Sequence, residues 1–132
     1  MCNEKISLLA EIEPEVATDI RKYLSSLGYY VYPTISKGEE LLEIAVTIHP
    51  SLILTDIHLS GQFDGVEAIS RMEEIIKIPY IFITAYDDYS RIITSYYLNP
   101  VSLIKKPIDQ ENLIKSVSKA DIIFQDAIYQ DN

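Results

Sequence analysis

Apolar and polar positions along this chain switch repeatedly between strand-like runs and helical spacing, and the switches mark out its elements. Ile6, Leu8 and Leu9 lie in a short strand spanning 5–10. Pro14 suits the first turn of a helix, where its missing N–H would have no partner anyway. Val16, Ile20, Tyr23, Leu24 and Leu27 then recur at helical spacing until Gly28 ends the helix. Residues 29–34 are aromatic and β-branched, which predicts a second strand. Ser36 and Glu39 have the spacing of a capping box, opening a helix with Leu41, Leu42, Ala45 and Ile48 as its buried stripe and His49-Pro50 as its end.

The run from Ser51 to Asp56 predicts a third strand, buried on both faces. Asp64-Gly65-Val66-Glu67 is another cap-like start, with Val66, Ile69, Met72 and Ile76 toward the core. Pro79 precedes a fourth strand, 80–84, and Asp87 or Asp88 opens a fourth helix carrying Ile92, Ile93 and Tyr96. Residues 101–105 form the fifth strand, and Pro107-Ile108-Asp109 leads into a last helix with Leu113, Ile114, Val117, Ala120 and Phe124. Strands alternating with helices imply an α/β domain, a doubly wound five-stranded parallel sheet with helices on both faces joined by right-handed crossovers. The domain is expected over 1–126, with a polar, fraying tail over 127–132.

Composition narrows the function. The 132 residues fit one domain with a real core, and 48% hydrophobic against 23% charged residues argues against disorder. Twenty acidic against eleven basic residues give a net charge of −9, which speaks against nucleic-acid binding, since that needs a basic face. Ten tyrosines without a tryptophan fit core and rim packing better than a base-stacking surface, given their scatter and this charge. A single cysteine, Cys2, excludes an internal disulfide and a cysteine-based zinc site. No stretch is long and apolar enough to span a bilayer, and the first residues lack the pattern of a signal peptide. A cytoplasmic protein without membrane contact is expected.

Candidate chemistry gathers at the strand ends. In open α/β sheets ligands bind outside the carboxyl ends of the strands. Asp56 stands there after the third strand, Glu11 and Glu13 after the first, Thr84 after the fourth, and Lys105-Lys106-Pro107 after the fifth. Carboxylates with a hydroxyl and an ammonium suit a hard cation such as Mg2+, which takes oxygen ligands, together with a phosphoryl group needing a positive partner. Taken singly, each has a plainer reading: Thr84 as the close of a strand, Glu11 and Glu13 as strand-end charges, the His58 side chain as a solvated loop residue and His49 as structural.

With Leu-Leu-Ala-Glu-Ile-Glu-Pro at 8–14, Leu-Thr-Asp-Ile-His-Leu and Asp64-Gly65 within 54–65, Phe-Ile-Thr-Ala-Tyr at 82–86 and Lys-Lys-Pro at 105–107, the chain resembles the receiver domain of two-component response regulators. The four motifs appear in order, each at a strand end. The resemblance implies a flavodoxin-like receiver fold with strand order 2-1-3-4-5. It implies a signalling switch rather than an enzyme, in which Asp56 accepts a phosphoryl group from a sensor histidine kinase. It further implies that Thr84 and Lys106 hold that group, and that Mg2+ is bound by Glu11, Asp56 and the backbone carbonyl of His58. Lys105 is expected on the other strand face as a solvated charge. Output is expected through association with a downstream protein, docking on the fourth strand, fourth helix and fifth strand, with a homodimer left open.

Two residues depart from the family pattern. Ile12 stands where the second acid of the metal-binding pair belongs, and strand alternation argues against Glu13 replacing it unless the loop is irregular. Leu103 replaces the aromatic residue that normally moves when the threonine engages the phosphoryl group. These departures motivate an alternative, a receiver-like interaction module that works without phosphorylation. A flavin carrier or small enzyme on the same architecture is disfavoured, because the Glu11-Ile12-Glu13-Pro14 turn would repel phosphate.

Overall fold

The computed structural model describes residues 5–85, 93 and 96–130. Its strands are β1 (Ile6–Ala10), β2 (Tyr30–Val31), β3 (Leu52–Asp56), β4 (Tyr80–Thr84) and β5 (Ser102–Lys105), and its helices are α1 (Pro14–Ser26), α2 (Gly38–Ile48), α3 (Gly65–Glu73) and α4 (Gln110–Gln130). The strands form one parallel sheet in the order β2-β1-β3-β4-β5. All five residues of β3 are buried, as are all five of β4, because the sheet is covered on both sides.

Strand alternation divides the core into two layers. Leu8, Ile53 and Phe82 face α2 and α3, where Leu41, Ala45, Val66, Ile69 and Met72 close over them. Leu9, Leu54, Ile83 and Ile104 face the other way, against Ile20 and Leu24 of α1 and Leu113 and Val117 of α4. Each of these side chains apart from Ala45 contributes roughly 1.5–3 kcal/mol through burial. The register pairs Ala10 with Thr55, Asp56 with Ile83 and Thr84 with Lys105, so β1, β3, β4 and β5 end at a common rim.

Several local readings hold: Pro14 sits in the first turn of α1, Gly28 follows that helix with φ 93°, His49 caps α2 in the left-handed region, and the Asp64 carboxylate accepts the Glu67 N–H at 2.8 Å. Others are corrected. The second strand is far shorter than 29–34, because Pro33 has no N–H for the ladder and the Arg21 guanidinium binds the Tyr32 and Val31 carbonyls at 2.7 and 3.3 Å. The chain rejoins the sheet only at Ile35, which bridges to Ala10.

The capping box at Ser36 does not form. Lys37 is the residue that precedes α2, without a side-chain cap, and the Glu39 carboxylate turns instead to a neighbouring loop. The last helix runs to Gln130, with no glycine or proline within it to stop it. The expected fourth helix falls mostly outside the described residues; within them Ile93 is helical and buried, and Tyr96 lies in a turn. No helix among the described residues is long and apolar enough to cross a membrane.

Candidate functional site

Three carboxylates converge on one ammonium at the rim. β3 delivers Asp56 at its last residue, the chain leaving β1 delivers Glu11, and Lys106 follows β5, its N–H bonded to the Thr84 carbonyl at 2.8 Å. The Lys106 Nζ donates to Asp56 Oδ2 at 2.7 Å, to Glu11 Oε2 at 3.0 Å and to Glu13 Oε1 at 2.6 Å. The side chains of Asp56, Glu11 and Lys106 are 7%, 0% and 10% exposed, so these interactions are weakly screened, whereas Glu13, at 58%, is open to solvent. The other Asp56 oxygen, Oδ1, accepts the His58 N–H at 3.1 Å. Both oxygens of the Asp56 carboxylate are thus fixed in direction.

The electrostatics follow from burial and from this shared proton donor. Burial pushes the Glu11 carboxyl above its ordinary value, with the negative charge of Asp56 adding to the shift, while the Glu13 N–H and Lys106 pull it back. Burial disfavours the Lys106 charge, yet its hydrogen bonds to Asp56, Glu13 and Glu11 outweigh that and raise its pKa. When all are ionised, three carboxylates against one ammonium leave two negative charges in excess. Glu11 Oε1 is buried and has no hydrogen-bond partner.

Glu13 corrects the expectation drawn from strand alternation. β1 ends at Ala10, and by Glu13 the chain is no longer a strand: Glu13 precedes α1 with φ −92° and ψ 111°, its N–H on Glu11 Oε2 at 3.1 Å. This irregular turn sends Ile12 to solvent, 47% exposed, and brings Glu13 back beside Glu11. Glu11, Glu13 and Asp56 each offer an oxygen within 4.8 Å of the others. The available signal was Pro14, which places Glu13 at a helix entry rather than in a strand.

The remaining sequence candidates lie near this cluster with different surroundings. Thr84 is fully buried at the end of β4, one residue beyond Ile83, the partner of Asp56. His58 is exposed and Lys105 is exposed. Leu103 pairs with Phe82 and packs, half-buried, against the α2–α3 layer of the core. Gly65, read from sequence as a helix start and as part of a family motif, lies directly against the phosphoacceptor candidate. A Cβ there would meet the Asp56 carbonyl oxygen at 2.0 Å and Thr55 Oγ1 at 2.9 Å.

A parallel sheet of this order, with an aspartate, further acids and a lysine at its carboxyl rim, defines a receiver-type α/β domain. The chain belongs to the response regulator receiver domain family, whose sequence pattern matches residues 8–118. It is 34% identical over 119 residues to the phyllosphere-induced regulator PhyR of Methylorubrum extorquens, covering 89% of this chain and 43% of that protein. It therefore spans less than half the length of that relative. Among solved structures it resembles the signal receiver domain of a modulated diguanylate cyclase from Desulfovibrio desulfuricans G20, with a TM-score of 0.81 and 31% identity, covering 93% of this chain and 98% of that one. The anti-anti-sigma factor PhyR from Bartonella quintana aligns with a TM-score of 0.73 and 27% identity, over 98% of this chain and 52% of that one.

Proposed function

We propose that this receiver domain is a phosphorylation-dependent switch in which Asp56 is the phosphoacceptor. The observation that carries this reading is the Asp56 carboxylate, buried at the rim and held between the Lys106 ammonium and the His58 N–H. A carboxylate oriented from both oxygens is preorganised as a nucleophile. In the transfer, an Asp56 oxygen forms a bond to the phosphorus of a phospho-histidine on a sensor kinase as the phosphorus–nitrogen bond breaks. The departing imidazole nitrogen takes its proton from solvent. Lys106 shifts from the bare carboxylate to the phosphoryl oxygens, where an ammonium acts as a point charge. Thr84, fully buried one strand away, is the proposed hydroxyl partner of that group.

The donor set also fits Mg2+. Two excess negative charges, oxygen donors from Glu11, Glu13 and Asp56, and the orphaned Glu11 Oε1 suit a hard divalent cation. The His58 backbone carbonyl is the further proposed ligand. Such an ion would neutralise phosphoryl charge during transfer. Glu13 supplies the second acid that Ile12 withholds, which weakens the case for a phosphorylation-independent module.

Output is proposed to pass through association with a downstream protein, consistent with the exposed Tyr96 and Tyr97 just ahead of β5. Leu103 offers less moving bulk than an aromatic ring, so the conformational response is expected to be smaller than usual for the family.

The test is incubation with phosphoramidate and Mg2+ followed by intact-mass measurement. An adduct of about 80 daltons, one phosphoryl group, present in the native chain and absent in Asp56→Asn, supports the switch. Absence of any adduct, even with a cognate kinase, favours the interaction module.

A further inference from the structure

The segment between Asp56 and α3 is held at its two ends by the sheet and the helix, but its middle is held by α2. At the start, the Ile57 N–H bonds the Ile83 carbonyl at 3.0 Å, and at the end the Gly65 N–H bonds the Ile57 carbonyl at 2.8 Å. Between them, residues 60–63 bond to the start of α2. The Ser60 N–H donates to the Ser36 carbonyl at 2.9 Å, and the Gly38 N–H donates to the Ser60 carbonyl at 3.3 Å. The Glu39 Oε1 accepts the Gln62 N–H at 3.0 Å and the Phe63 N–H at 3.5 Å.

Two glycines permit this close approach. Gly61 adopts φ 88°, and a Cβ on it would lie 2.3 Å from Glu39 Oε1, while a Cβ on Gly38 would lie 2.0 Å from the Phe63 carbonyl oxygen. Its own backbone N–H, with those of Gln62 and Phe63, holds the Glu39 carboxyl below its ordinary value. The Arg71 guanidinium lies over the Phe63 ring, 4.3 Å from its centroid. His58, whose N–H orients Asp56, lies two residues ahead of the first α2 contact.

We infer that Glu39 is a positioning residue for the phosphoacceptor: it fixes the loop after Asp56 from α2 so that the His58 main chain stays on the Asp56 carboxylate. The effect on phosphoryl transfer rests on the function proposed above; the effect on loop geometry does not. The sequence relation is remote, Glu39 lying 23 residues before Gln62.

The experiment measures backbone amide hydrogen exchange by NMR and the initial rate of modification by phosphoramidate in Glu39→Ala, Glu39→Gln and Gly61→Ala. In Glu39→Ala the Gln62 and Phe63 amides are expected to exchange about tenfold faster and the His58 amide about threefold faster, with transfer slowed about threefold. Glu39→Gln keeps an acceptor oxygen and is expected to stay within about twofold of the native chain in both readouts. Gly61→Ala pushes a methyl group at the Glu39 carboxylate and is expected to reproduce the alanine variant; it provides the same readouts should Glu39→Ala not fold. An unchanged His58 amide in variants whose Gln62 and Phe63 amides respond overturns the inference, as does a Glu39→Gln variant as impaired as Glu39→Ala. A native chain that takes no phosphoryl group removes the proposed Asp56 chemistry, while the His58 amide still decides the role of Glu39.

Discussion

Replacing Lys106 by methionine removes the cation shared by the site while keeping most of the side-chain volume. Two buried carboxylates lose hydrogen bonds of 2.7 and 3.0 Å, those of Asp56 and Glu11. The Glu13 contact adds little, since that side chain is 58% exposed and surface pairs contribute about 0–1 kcal/mol. Stranding one member of a buried ion pair costs about 3–5 kcal/mol. The site lies at the sheet rim rather than deep in the core, so a loss of about 2–3 kcal/mol at neutral pH is expected. With a urea slope near 2 kcal/mol per molar, the unfolding midpoint should fall by about 1–1.5 M.

The pH dependence of that loss carries the reasoning. Without the ammonium, the Glu11 carboxyl, already raised by burial and by the Asp56 charge, loses the partner that pulls it down and rises further above its unfolded value. Groups raised in this way stabilise the fold below the unfolded pKa, and that contribution disappears as pH climbs through the folded pKa. Native and variant midpoints should therefore nearly coincide in acid and diverge toward neutrality. Lys106 itself, with its raised pKa, remains charged across that range. An equal gap at acid and neutral pH, or no gap at all, refutes the argument that Lys106 acts by compensating buried charge.

The other expectations test the same site from different sides. Glu11 already has a pKa raised above its ordinary value by burial, so its ionisation costs stability as pH rises; Glu11→Gln should match the native chain in acid and be the more stable of the two at neutral pH in urea unfolding. Glu13→Gln should weaken Mg2+ binding about tenfold in an NMR titration, whereas Ile12→Asp should change it by no more than about threefold, because Ile12 points to solvent; the opposite ranking would return the second acid to position 12. Gly65→Ala forces a methyl group to 2.0 Å from the Asp56 carbonyl oxygen. It should cost about 2–3 kcal/mol in urea unfolding and lower the phosphoramidate rate, and a variant as stable as the native chain would show that α3 can back away from β3 at little cost.

What was legible in the sequence, and what was not, separates along the range of the forces involved. The buried run ending at Asp56 and the cap at Asp64 are local patterns, so their reading matches the structure. Where local rules competed, the longer-range partner won. Arg21 and Pro33 together cut the second strand to Tyr30–Val31, although the residues around it favour β structure. Glu39 has the spacing for a capping box, but its carboxylate accepts the N–H groups of Gln62 and Phe63 instead.

Glu13 shows the same logic at the site itself. Period-two alternation applies only while the ladder persists, and β1 stops at Ala10. Once Pro14 begins a helix, the side-chain directions of residues 11–13 are set by the turn into α1. The turn brings Glu13, although 58% exposed, back to Lys106 at 2.6 Å, while Ile12 in that place would leave the ammonium with one acid fewer. A receiver can therefore lose the second acid of its pair without losing the charge it provided, if the next acid sits where the helix entry turns the chain back. That compensation depends on Glu13 and Pro14 together, and a chain with Ile12 but without that helix entry would have no such substitute.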